Sequence, residues 1–121
     1  MTGEEERREI LAFTYGERLK GELLAVGQLL ETIAGLHGAE RQGALALFRS
    51  AIAAVAGDLR LAARVLESED LRGSDARIEL VEGFVRLVQM PAAREELSGL
   101  LSRVTTVSGR AMAALRAKGL L

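Results

Sequence analysis

Apolar residues recur every three or four positions along nearly the whole of this 121-residue chain, and a single proline, Pro91, interrupts them. That spacing is the helical period. No run of alternating β-branched residues bounded by turn residues competes with it. The sequence therefore predicts an all-α fold of four helices, over about residues 4–34, 39–66, 75–90 and 91–117. Short connections between long helices favour antiparallel neighbours, so the expectation is one domain, 1–121, built as an antiparallel up-and-down four-helix bundle. A chain of this length buries roughly two-thirds of its unfolded surface and needs no metal or disulfide staple.

Local signals place the ends. Thr2 followed by Glu5 fits a capping box, and Glu4, Glu5 and Glu6 suit the positive end of a helix dipole. The core stripe of the first helix is Ala12, Tyr15, Leu19, Val26, Leu30 and Ile33, with Leu23 beside it. Glycines inside a helix each cost about 1 kcal/mol relative to alanine, yet this helix holds Gly16, Gly21 and Gly27. At 100° per residue, Gly16 and Gly27 fall on one flank of the stripe, where small residues admit a close neighbour. The alanine-rich second helix is the expected neighbour. Gly35 suits a C-terminal cap, and Gly21 has no packing reason.

The acidic connection ESEDLRGSD at 67–75 ends the second helix near Leu66. Ser74 or Asp75 is the expected cap of the third helix, with Leu80, Val81, Phe84, Leu87 and Val88 facing inward. Pro91 favours a fresh fourth helix, whose seam is Leu97, Leu101, Val104, Ser108, Ala111 and Leu115.

Composition excludes several functions. With 16 basic and 17 acidic side chains, the chain has no long-range pull toward phosphate or anionic lipid. Cysteine is absent, which removes disulfides, thiolate catalysis and thiolate metal sites. The opening MTGEEERRE places acids where a signal peptide needs bases, and no apolar stretch reaches the ~18 residues of a membrane span. A cytoplasmic protein with no membrane or nucleic-acid partner is expected. The acids at 67, 69, 70 and 75 also argue against a helix-turn-helix reading.

Chemistry-bearing groups are few. His37 is the only histidine, so a ferritin-like dinuclear site, with its two Glu-x-x-His motifs, is not available. No catalytic, cofactor or metal-binding residue is assigned. Tyr15, Glu22, Asp58 and Arg77 form the one candidate pocket, because the last three sit at or within apolar helix faces. Converging there, two carboxylates would split their pKa values; a partly buried ion pair would have the same sequence signature.

The stronger signal is a second apolar stripe on the first helix: Ile10, Phe13 and Leu24, with Glu17 between them, and Leu61 on the nominally polar side of the second helix. Two readings follow. One is a non-catalytic interaction or scaffold module, homodimeric through Ile10, Phe13, Glu17, Leu24 and Leu61 and open to a protein partner. The other is a small-molecule-binding or enzymatic bundle with a polar pocket in its core.

Overall fold

The computed structural model describes residues 2–121. Its helices are α1 (Gly3–Ala34), α2 (Gly38–Leu66), α3 (Ser74–Arg86) and α4 (Met90–Ala117). Each packs on its neighbour in the chain, and α4 closes back on α1; among the described residues, α1 does not pack on α3, nor α2 on α4. This ring is the expected four-helix bundle. One core runs through it, from Leu19, Leu30 and Ile33 of α1 to Phe48, Ile52 and Leu59 of α2, Val81 of α3, and Leu100 and Val104 of α4.

The helix ends follow from backbone chemistry. Thr2 Oγ1 accepts from Glu5 N–H at 3.1 Å, as a capping threonine should. Gly35 follows α1 in a right-handed conformation; the left-handed glycine of that turn is Gly38 (φ 59°). Gly73, not Ser74 or Asp75, precedes α3. Ser74 instead turns back, its buried Oγ donating to Leu71 O at 2.7 Å.

The third helix departs most from expectation. It ends at Arg86, and Gln89 N–H closes a bond to Phe84 O at 2.8 Å. That six-to-one bond needs a left-handed residue before it, here Val88 at φ 59°. Valine is strained there, since its branched Cβ crowds the backbone. Leu87 and Val88 thus leave the helical frame and are 68% and 50% exposed. Ile78, Val81 and Val85 face the core; Leu80 faces out. A helix apolar around most of its girth does not fix its own phase, and packing against both α2 and α4 sets it. Met90, expected at the end of the third helix, is instead buried at the start of α4.

The glycine flank of α1 faces α4 rather than α2. A Cβ on Gly16 would lie 2.8 Å from Ser108 Cβ and 3.0 Å from its Cα, so only glycine fits. Alanine-rich α2 makes no such approach. Gly27 lies on the same side, over a groove with open space above it.

Candidate functional site

The α1–α2 contact carries a cluster of charges. Arg18 and Glu22 stand one turn apart on α1 and are bonded through Nε–H at 3.2 Å. Arg18 also reaches across to Asp58 Oδ2 on α2 at 3.5 Å. Glu22 and Asp58, two of the candidate pocket residues, do meet. Glu22 Oε2 is buried with no donor to satisfy it, and its neighbour on α2 is the Asp58 carboxyl. Two acceptors can bond only around a shared proton. Burial first, then Asp58, raises the Glu22 pKa above its ordinary value, while Arg18 opposes the shift.

The other two candidates do not complete a pocket. Arg77 sits between α3 and α4, donating to Glu96 at 3.1 Å over Gly99. Tyr15 is half-buried against the core, about two turns before Glu22. Three of the surface grooves are well formed. One of about 420 Å³ lies where α2 meets the start of α3, rimmed by Arg60, Arg64 and Arg72. One of about 400 Å³ runs between Phe48 and Arg49 of α2 and Val85 and Arg86 of α3. The third, about 270 Å³, has a floor of Leu23, Leu97 and Leu101 between α1 and α4. None is lined by Tyr15, Glu22, Asp58 or Arg77. His37 is exposed and bonds no helix end through its side chain. Among the described residues, no cluster of three metal-ligating side chains occurs, and no helix is long and apolar enough to cross a membrane.

The outer stripe divides between two faces. Glu17 belongs to the α4 side: its Oε2 accepts from Ser108 Oγ at 2.7 Å and from Lys20 Nζ at 2.9 Å. Lys20 first, then Ser108, hold its pKa below the ordinary value. Leu24 is half-exposed on the rim of the α1–α4 groove, beside the Glu31–Arg94 ion pair. Phe13 is partly covered and Ile10 half-exposed. Leu61 stands apart from these on α2, 43% exposed. The sequence reading passed over Arg18, whose role depends on a register between helices. It also passed over three exposed apolar residues, Leu11, Leu47 and Val65; the helical spacing of Leu11 seven residues from Arg18, and of Leu47 and Val65 eleven and seven from Asp58, was the available signal.

No protein family, curated protein or solved structure matches the chain.

Proposed function

We propose that this protein is a non-catalytic interaction module that works through protein–protein contacts as a homodimer. The observation that carries the reading is the amount of large apolar side chain left in water along the two longest helices: Ile10 and Leu24 on α1, and Leu47, Leu61 and Val65 on α2, each 43–61% exposed. Single exposed apolar residues are ordinary. Leu47, Leu61 and Val65 share one face of α2, and a run of that kind marks an interaction site. Covering such half-exposed side chains contributes roughly 1 kcal/mol each. The charged groups favour the same reading, because Glu22 and Asp58 close on one another and on Arg18 and line none of the grooves described above.

The test is the solution mass of the purified chain and of Phe13→Glu and Leu61→Glu variants. A dimer weakened by at least one substitution supports the reading. A species of 13.0 kDa at every concentration contradicts it.

A further inference from the structure

The five residues Ile10, Phe13, Glu17, Leu24 and Leu61 do not form a single surface, so an interface must choose a face. Residues seven and four apart share one face of a helix. On α1 this places Leu11 and Leu29 in line with Arg18 and Glu22. On α2 it places Leu47, Ala54, Leu61 and Val65 in line with Asp58. The antiparallel register that sets Arg18 beside Asp58 brings Leu29 level with Leu47 and Leu11 level with Val65. The α1–α2 face therefore has apolar side chains at both ends and a compact charged group between them.

We infer that a second copy of this chain covers the α1–α2 face, with Arg18 of each copy set against the carboxyl pair Glu22 and Asp58 of the other. The inference rests on the homodimer reading above and assigns it a surface.

Two arguments select this occupant. The first is charge. Arg18 is 65% exposed, while Glu22 and Asp58 are 27% and 31% exposed. The guanidinium has five N–H donors, and only one each goes to Glu22 and Asp58. The cluster lies near the middle of the face. A two-fold axis along the helices then sets Arg18 over the partner's Asp58, and one across them sets it over the partner's Glu22. In either case apolar ends meet apolar ends. A surface that complements itself under both operations fits its own copy.

The second argument is area. Two helices side by side, each about 10 Å wide, with α2's 29 residues at 1.5 Å rise, make a face of roughly 900 Å². That is enough for one partner's share of a standard stable interface, about 800 Å². A single α1 stripe would supply about half of it.

Sedimentation equilibrium of the full chain tests the assignment with four variants. Leu47→Glu places a charge on the proposed face and falls in both copies; it should weaken the dimer about 100-fold. Arg18→Glu should weaken it about 10-fold or more, by setting carboxylates against carboxylates. Leu24→Glu, on the α1–α4 groove, should leave it unchanged. Leu47 is 61% exposed, so helicity should persist; Ala54→Arg, at another exposed site on the face, provides an independent disruption. Loss of the dimer in Leu24→Glu but not in Leu47→Glu or Ala54→Arg would keep the homodimer and overturn this face. A dimer indifferent to all the substitutions would overturn it too. A wild-type monomer would end both readings together.

Discussion

Two glutamates five residues apart on α1 are held in opposite ways. Glu17 faces α4, accepts two short hydrogen bonds, and has its pKa lowered by Lys20 and then Ser108. Glu22 faces α2, keeps one oxygen buried without a donor, and has its pKa raised by burial and then by Asp58. The flanks they stand on differ in the same sense. Toward α4, the backbone at Gly16 lies directly against Ser108, and the polar groups nearby are satisfied. Toward α2, the helices meet through a carboxyl pair and one exposed arginine, with uncovered leucines on either side. The difference teaches that α1 has a finished seam and an unfinished one. The unfinished seam is the face that we propose a second copy covers.

Four substitutions probe that contrast. Gly16→Ala should have the largest effect: overpacking costs about 1–3 kcal/mol, because the added carbon meets Ser108 backbone and Cβ, which cannot swing away. The helix-propensity gain of up to about 1 kcal/mol recovers only part of it. Denaturant titration should show a net loss of up to about 2 kcal/mol; a gain would mean the seam is looser than described. Gly27→Ala, on the same flank but with nothing within 4 Å, should instead gain up to about 1 kcal/mol.

The carboxyl groups come next. A folded-state pKa raised above the unfolded value means that Glu22's contribution is fully present below the unfolded carboxyl range. It is lost as pH rises through the higher folded value. Glu22→Gln supplies its own N–H to Asp58. It should therefore raise stability at pH 7 by about the worth of one hydrogen bond, 0.5–1.5 kcal/mol, and remove that fall with pH. Glu17 has the opposite sign: its contribution is present above the unfolded carboxyl range and fades as pH falls through the lowered folded value. Glu17→Gln should flatten the acid side of the profile by a smaller amount. Thermal melts from pH 3 to 8 compare the two. Changes of the same sign would break the contrast between the seams.

How much of this was legible in the sequence follows from what each feature depends on. The four helices and most of their ends were, because apolar period, Thr2, the acids after Leu66 and Pro91 are local signals. The inward face of α1 was equally clear, since its stripe is narrow. The phase of α3 was not, because its apolar residues, from Leu80 and Phe84 round to Val81, Val85 and Ile78, span about half its circumference, and only α2 and α4 decide which turn inward. Glycine at 16 announced a close approach without saying which helix approaches. Glu22 and Asp58 read as edge residues of apolar faces, and the structure sets them beside one another. The Arg18–Glu22 pair is local, one turn apart on α1, but the reach of Arg18 to Asp58 and the separation of both carboxyls from Arg77 are set by inter-helix register, which a single chain's pattern does not encode.

The most direct test of the account is the mass of the purified wild-type chain in solution, followed across concentration. The account predicts a species of twice 13.0 kDa that dissociates on dilution. A species that stays at 13.0 kDa up to the limit of solubility, with its leucines still bare, would contradict it.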